Sequence, residues 1–534
     1  METKFVSLLY PSEQSRLYHS NKDNLPNISA EVLSELGFDE FFNLSSANLS
    51  EFFTMDSEVI EYRQSAIQDL VDNPELLEAL SAIHPILDDI RELRRLDNEG
   101  VGSADSYLYS ITEIELYVSC IEALKTGFAR VNTKLNSSAC RALCTYVNEI
   151  CESEYYNTIN RRLQALTERV SEVKSITVGV NLDREMRPES AAVISVNSEK
   201  FKSGKVLDKI LRLSFKNDAF TSIAELTPLG KGQSENKQEA LVAAFNSAIE
   251  EVFRSSVKGW RSTVEEYVIE NTDFLIRLLP EIEFTARAAE LIRVLSGRGL
   301  CICYPKILPM QDKAFRARAL FNPRIALATD SEIVTNDLAF DEKASIYVLT
   351  GPNRGGKSVI TVALGAAQAM CQLGLPVPSA ECELSCVNAI YTHFPEGAED
   401  TIDKGRLGEE CARLREIFNA VDGYGMILLD ESLSSTGAYE ASYIAAEILA
   451  ALATRGTRGI FSTHLHELAA SIDDINARSL QNGGVLIDTL VAGIDEGKRS
   501  FKIYRMKPDG KSYARDIAEK YGLTFENLVG DDEK

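Results

Sequence analysis

Leu349-Thr350-Gly351-Pro352-Asn353-Arg354-Gly355-Gly356-Lys357-Ser358 is the stretch on which the fold turns. It fits the phosphate-binding pattern G-x-x-x-x-G-K-[ST], with Gly351, Gly356, Lys357 and Ser358 at the required offsets. Glycines let successive backbone N–H groups turn inward around a polyphosphate, where a side chain would block the approach. Lys357 is then placed to reach the terminal phosphates, and the Ser358 hydroxyl to ligate Mg²⁺. The apolar run Ile346–Leu349 ahead of the loop reads as a strand. Val359–Met370 behind it reads as a helix whose positive end faces the phosphates. The pattern alone arises often by chance; strand and helix on the correct sides make it a nucleotide site. The residues expected to line it are Gly351, Pro352, Asn353, Arg354, Gly355, Gly356, Lys357, Ser358 and Val359.

Two further strands end in chemistry. Met426-Ile427-Leu428-Leu429-Asp430-Glu431 is an apolar run closing on two carboxylates, as in a Walker B motif. Asp430 would hold Mg²⁺ through water, with Ser358 as the other metal-side residue, and Glu431 would polarise the attacking water. The gap of about 70 residues from Lys357 suits the ABC-type class of P-loop ATPases. Gly459-Ile460-Phe461-Ser462-Thr463-His464 is another strand, with a histidine at the point where ABC-type ATPases sense the γ-phosphate. A plain capping histidine is the competing reading.

Composition bounds the rest. A chain of 534 residues, 45% hydrophobic and 25% charged, has room for two or more globular domains. No apolar run approaches the roughly 20 residues needed to span a bilayer, and the start lacks a signal-peptide pattern. The sequence therefore predicts a cytoplasmic protein without membrane contact. Its ten cysteines show no paired zinc spacing and read as reduced thiols. The net charge of −24 opposes non-specific nucleic-acid binding, which draws its affinity from Lys and Arg.

Along the chain, residues 1–56 are mixed and hard to place. Residues 57–300 read as a mostly helical region: Ile67, Leu70, Leu77, Leu80, Ile83 and Leu87 recur at helical spacing, with Pro74 and Pro85 interrupting. Ile111, Ile114, Val118, Ile121 and Leu124 continue the pattern, and another helical stretch covers about Asn136–Val173. A small β-containing insert occupies about 175–216, with Ile176–Val180 and Ala192–Val196 as strands joined by a polar turn. Lys200, Lys202, Lys205, Lys209, Arg212 and Lys216 follow, either a solvated surface or a nucleic-acid contact. Glu235–Leu279 has the pattern of one long helix, with Leu241, Phe245, Ile249, Phe253, Trp260, Val264 and Tyr267 on one side. About 44 residues would span roughly 65 Å, suggesting a lever, with a plain bundle as the alternative. Pro280 is expected to end it and a second helix to cover Phe284–Leu295. Residues 301–534 form the α/β nucleotide-binding domain. The fold class expected is thus α/β: an ABC-type P-loop ATPase domain at the C-terminus, preceded by a mostly α-helical core and lever region with a small β insert.

Thr350–Ser358 closely resembles the MutS family's T-G-P-N-x-G-G-K-S, including the Pro352-Asn353 pair that most P-loop proteins lack. Ser379-Ala380, Ala398–Asp400, Asp430-Glu431, Thr436-x-x-Tyr439, Thr463-His464 and Lys511-Ser512-Tyr513-Ala514 follow in the family's order. The resemblance is specific from about Asn322 onward and extends more loosely back to about Ser57. It implies an ATP- and Mg²⁺-dependent ATPase working as a homodimer whose composite sites close on ATP. It also implies Glu431 as general base, His464 as sensor, and Asn353 as positioning the γ-phosphate or attacking water. Ser432–Tyr439 would pass signals between two heads.

The departures shape the expected function. The family's Phe-x-Glu mismatch wedge has no counterpart, since Phe394-Pro395-Glu396 lies inside the ATPase region. The usual cross-subunit segment is replaced by Gly405-Arg406-Leu407-Gly408-Glu409-Glu410, the base-stacking aromatic by Ile333, and a frequent methionine by Arg354. No nuclease-like module is visible, which speaks against the subgroup that carries one. The resemblance implies a DNA-binding ATPase acting on mismatched, branched or otherwise unusual DNA. The other reading is a MutS-like ATPase acting on ribosomes, RNA or a protein partner. An ABC transporter or SMC-type ATPase is disfavoured, because no Leu-Ser-Gly-Gly-Gln signature precedes Asp430.

Overall fold

The computed structural model describes residues 5–98, 105–131, 135–171, 175–186, 188–197, 227–228, 269–341, 344–394, 406–495, 498–507 and 521–529. The lysine cluster at 200–216, nearly all of the expected lever helix, and the motifs at 398–400 and 511–514 lie outside the described residues. The chain forms two compact units. One comprises residues 1–74, 133–142 and 280–534, the other 75–132 and 143–279.

In chain order the helices are α1 (Glu13–Ser20), α2 (Ala30–Glu35), α3 (Phe38–Phe41), α4 (Ser57–Asp72), α5 (Pro74–Asn98), α6 (Asp105–Ala129), α7 (Ser138–Glu152), α8 (Glu154–Ser171) and α9 (Ile269–Gly297). They continue as α10 (Pro323–Ala328), α11 (Lys357–Leu373), α12 (Arg406–Ala420), α13 (Ala438–Arg455), α14 (His466–Ala470), α15 (Ile472–Gln481) and α16 (Phe525–Val529). The strands are β1 (Ser175–Leu182), β2 (Pro188–Asn197), β3 (Thr227–Pro228), β4 (Lys306–Leu308), β5 (Phe315–Leu320), β6 (Asn336–Phe340), β7 (Ile346–Thr350), β8 (Glu381–Ser385), β9 (Ile390–His393), β10 (Met426–Asp430), β11 (Arg458–Ser462), β12 (Ile487–Asp495) and β13 (Lys498–Arg505).

The smaller unit is mainly helical. Leu77, Leu80, Ile83, Leu87 and Ile90 form the buried stripe of α5, and Ile114, Val118, Ile121 and Leu124 that of α6. Arg94 ties this unit together by pairing with both Glu113 and Asp273. β1 and β2 make an antiparallel hairpin, with Ser175 opposite Asn197, and β2 also pairs β3.

Two sequence expectations are corrected here. Pro85 lies inside α5 and Pro280 inside α9, so neither ends its helix. A proline removes one intrahelical hydrogen bond, and packing on both sides can hold the helix through that loss. Ile83 and Leu87 flank Pro85 and are fully buried; Leu279 and Ile282, at 1% exposure, flank Pro280. The helical stretch expected from about Asn136 is present, as the two helices α7 and α8. The Ser153 hydroxyl accepts a hydrogen bond from the Tyr156 N–H at 3.1 Å and so caps the second one.

The larger unit is built on a six-stranded sheet in the order β13-β12-β7-β11-β10-β9 and a four-stranded sheet in the order β4-β8-β5-β6. β12, β7, β11, β10 and β9 run parallel, and only β13 is antiparallel to its neighbour. All five residues of β7, β10 and β11 are buried, as expected of strands covered on both faces. α11 crosses this sheet and is buried almost all round, with small residues Ala363, Gly365, Ala366, Ala367 and Ala369 permitting close approach. A Cβ at Gly365 would lie 2.5 Å from Leu428 and 2.6 Å from Leu36, so the glycine is there for space.

Leu36 belongs to the N-terminal segment that the sequence left unplaced. Residues 5–56 pack on the larger unit by many separate contacts. The Ser7 hydroxyl and Leu8 N–H both donate to Glu281 Oε2 at 2.7 Å. Arg63, fully buried, donates to the carbonyls of Leu9 and Phe52. Asn27 forms a parallel bridge beside β9, and the Thr54 N–H donates to the Gln372 carbonyl at 2.9 Å. Leu36→Ala should lower unfolding free energy by about 2–5 kcal/mol, the range for a large-to-small core change. Denaturant titration checks this; an unchanged midpoint would mean the segment is not part of the core.

Candidate nucleotide site

The parallel ladder brings the sequence motifs to one edge. In register, Asp430 lies opposite Ser462, and Ser462 opposite Leu349. The chain therefore leaves β7, β10 and β11 side by side, at the carboxyl ends where open α/β sheets bind ligands. From β7 it enters the glycine loop, from β10 the turn at Glu431, and from β11 the turn at Thr463-His464.

Gly351 and Gly356 have φ of +143° and +93°, in the region favouring glycine. At Gly351 a Cβ would come within 2.6 Å of the Ala492 Cβ on β12. The loop is thus pressed against the sheet, and the Gly355 N–H donates to the Pro352 carbonyl at 3.1 Å within it. Lys357 opens α11 and is 4% exposed, and burial pulls its pKa down, opposed by the charges of Glu431 and Asp430. Its ammonium lies 3.2 Å from the Gly351 carbonyl, 3.3 Å from the Pro352 carbonyl and 3.2 Å from His464 Nε2.

His464 Nε2 is also 2.7 Å from Glu431 Oε1. One ring nitrogen cannot accept from Lys357 and donate to Glu431 together. With Nε2–H on the carboxylate, the ammonium is left to the two loop carbonyls. Asp430, 6% exposed, accepts from the Ser462 hydroxyl, and burial pushes its pKa up, while Ser358 and Ser462 counter that by hydrogen bonding. A hydroxyl and a carboxylate oxygen form the hard donor set that suits Mg²⁺, which takes its remaining ligands from water and substrate phosphate. A cation beside Asp430 would relieve the burial of its charge, so these residues fit the ion. Among the described residues, no cluster of three His, Cys, Asp or Glu side chains forms a metal site.

Seven described non-glycine residues have positive φ, and Arg354, Glu431, Leu433 and Phe501 among them border this site. Backbone strain concentrates where surrounding structure over-determines a functional geometry. At Glu431 the restraint is visible. His393 Nδ1 lies 2.8 Å from the Ser432 hydroxyl, which in turn donates to the His393 carbonyl at 3.3 Å. The tip of β9 thus holds the residue next to Glu431.

Of the sequence-predicted residues, Lys357, Ser358, Asp430, Glu431 and His464 come together. Asn353 and Arg354 are exposed on the loop, and Val359 is half-exposed. Ile333 lines a separate cavity of about 220 Å³ beside Gly356, together with Phe321, Val359, Ile360 and Phe501. Tyr439 stands 78% exposed at the start of α13. Sequence reasoning missed Ser462, the His393–Ser432 pair, Ala492 and Phe501. Ser462 sat within the quoted strand and could have been found by its register against Asp430; the others carried no local signal.

The larger unit's C-terminal part is an α/β domain of one recognised kind: residues 347–517 match MutS domain V. Residues 55–298 match the MutS2 N-terminal domain. The chain belongs to the MutS family. It is 24% identical over 410 residues to Endonuclease MutS2 of Staphylococcus aureus, covering 73% of this chain and 49% of that protein. It is 29% identical over 197 residues to Endonuclease MutS2 of Thermus thermophilus, covering 37% and 25%. It is 33% identical over 178 residues to the Probable DNA mismatch repair protein Msh6 of Drosophila melanogaster, covering 32% and 14%. The match therefore spans half or less of each relative's length. It also corrects one expectation: the helical region is of the MutS2 type, so the lack of a visible nuclease-like module did not set the chain apart from that subgroup. Among the described residues no helix is long and apolar enough to cross a membrane.

Gly351→Ala should destabilise the larger unit by about 1–3 kcal/mol, because the added Cβ meets Ala492 in a left-handed backbone. Ala492→Gly in the same chain should recover part of the loss. Additive effects of the two changes, read by denaturant unfolding, would contradict the contact.

Proposed function

We propose that this chain hydrolyses ATP at the Gly351–Ser358 loop, as a MutS-type ATPase whose heads pair as a homodimer and whose work is on mismatched, branched or otherwise unusual DNA. The observation that carries the reading is the convergence of Lys357, Ser358, Asp430, Glu431 and His464 on one sheet edge. Members of the family are ATPases that use ATP and Mg²⁺ and act as dimers on DNA. Tyr439 and Tyr443, one turn apart and 78% and 66% exposed, offer α13 an aromatic face for a second head.

The triphosphate lies along the loop N–H groups and the start of α11. Lys357 exchanges the Gly351 and Pro352 carbonyls for β- and γ-phosphate oxygens. Ser358, and Asp430 through water, would hold Mg²⁺, which would supply neutralisation of the phosphate charge. The base occupies the cavity lined by Ile333. A water oxygen attacks the γ-phosphorus, the bond to the β–γ bridging oxygen breaks, and ADP leaves with the electron pair. The water's proton passes to Glu431, which His464 must first release. His464 then hydrogen-bonds the γ-phosphate as its sensor, and Asn353 helps to position that phosphate or the attacking water.

The net charge of −24 favours a second reading, in which the same ATPase acts on ribosomes, RNA or a protein partner. A binding panel of homoduplex, mismatched, branched and single-stranded DNA plus RNA, at stated salt and with and without ATP, separates the two. Preference for unusual DNA is the expected result. Binding to RNA alone, or to none of the panel, transfers the case to the second reading. Glu431→Gln should keep ATP affinity, trap an ATP-bound dimer in size-exclusion chromatography, and cut turnover by at least about 100-fold. Hydrolysis at the parent rate would remove Glu431 from the role of base.

A further inference from the structure

We infer that Phe501 stacks on the base of the bound nucleotide, supplying the aromatic face that Ile333 does not. The inference rests on the nucleotide reading above and concerns which of this chain's residues meets the base.

The cavity beside Gly356 is small, about 220 Å³, and its apolar lining is largely aliphatic, with Phe321, buried at 2% exposure, as the other aromatic besides Phe501. That suits one flat heterocycle rather than a whole nucleotide, and Gly356, near the end of the phosphate loop, lies at its edge. Ile333 gives it a branched aliphatic side chain with no π face. Phe501 is on β13, the strand farthest from β9 in the sheet order, and reaches the cavity from there. Its ring lies against the phosphate loop: the Cδ1 atom would be 3.6 Å from a Cβ at Gly356. The side chain remains 46% exposed, an apolar ring at the mouth of a cavity with a face open to solvent.

A separate set of contacts holds the ring there. Phe501 has φ of +57°, a left-handed conformation unusual for a bulky residue within a strand. Asn336, 8% exposed, clamps both sides of it. Its Nδ2 donates to the Phe501 carbonyl at 3.1 Å, and its Oδ1 accepts from the Ile503 N–H at 2.7 Å. Lys502 Nζ adds a bond to the Thr335 carbonyl at 2.6 Å. The local twist moves Phe501 out of simple strand alternation, and Asn336 fixes it facing the cavity that Asn336 itself helps to line. A heterocycle entering there meets the aliphatic walls on one side and the ring on the other. Stacking of this kind is tolerant of base identity, so it selects for the presence of a base rather than for adenine.

The test uses the full chain and probes with and without a base. Phe501→Trp places an indole at the mouth, and the chain's own tryptophan, Trp260, is common to parent and variant. ATP with Mg²⁺ should quench the added emission, whereas inorganic tripolyphosphate with Mg²⁺ should not. Phe501→Ala should raise the dissociation constant for ATP about ten-fold, or about 1.4 kcal/mol, and leave that for tripolyphosphate unchanged. Phe501→Tyr should stay near the parent for both ligands and shows that the position tolerates change. Radiolabelled ATP bound by Phe501→Trp without a change in emission, or an unchanged ATP affinity in Phe501→Ala, would overturn the stacking role and leave the ATP reading intact. A parent chain that binds neither ATP nor tripolyphosphate would overturn the nucleotide reading itself, and this inference with it.

Discussion

The hydrogen-bond register of β10 on β11 and of β11 on β7 is the constraint from which the site follows. Leu349, Ser462 and Asp430 are register partners on neighbouring strands, so three turns leave the sheet at the same height. Side chains in a strand alternate faces, and a one-residue slip of β10 would turn Asp430 away from Ser462 and shift Glu431 out of reach of His464. The apolar runs of these strands do more than fill the core. They are buried on both faces, which specifies one register strongly and so fixes where the polar residues at their ends stand.

Charge inside the larger unit obeys a consistent logic. Arg63 is fully buried, and its guanidinium is met by main-chain carbonyls and the Tyr10 ring. Arg458, at 1% exposure, donates to the carbonyls of Ala314, Ser385 and Cys386. Glu281 is answered by a hydroxyl and a backbone N–H. At the nucleotide site the balance differs. Burial works against the charged forms of both Lys357 and Asp430, and their present partners are carbonyls, hydroxyls and each other's fields. Phosphates and a divalent cation are the groups that would complete that balance, which is the electrostatic case for the proposed ligand.

Much of the site could be read before the fold was known, because its signals are local. The spacing of Gly351, Gly356, Lys357 and Ser358, and the carboxylates after an apolar run, need only neighbouring residues to be interpreted. What could not be read depends on distant partners. Ser432 is unremarkable until His393 is brought beside it, and Phe501 carries no signal until Asn336 turns it. Pro85 and Pro280 misled for a related reason: propensity favours a break, and burial on either side overrides it. Residues 5–56 resisted placement because several of the contacts that order them, such as Ser7 with Glu281 and Thr54 with Gln372, lie hundreds of residues away.

That last feature bears on how the protein is made. Residues 5–56 are synthesised well before these partners: Glu281 lies 274 residues after Ser7, Gln372 lies 318 after Thr54, and Arg413 lies 382 after Glu31. At roughly 5–20 residues per second, this portion of the chain waits about 15–75 s before its partners exist. Leu8, Leu9, Leu36, Phe38 and Phe53, all sealed in the finished core, stand in water throughout that interval. Contacts of such long sequence separation slow folding, because loop closure must precede them. The segment and the strands it packs against must both be synthesised before their contacts can form.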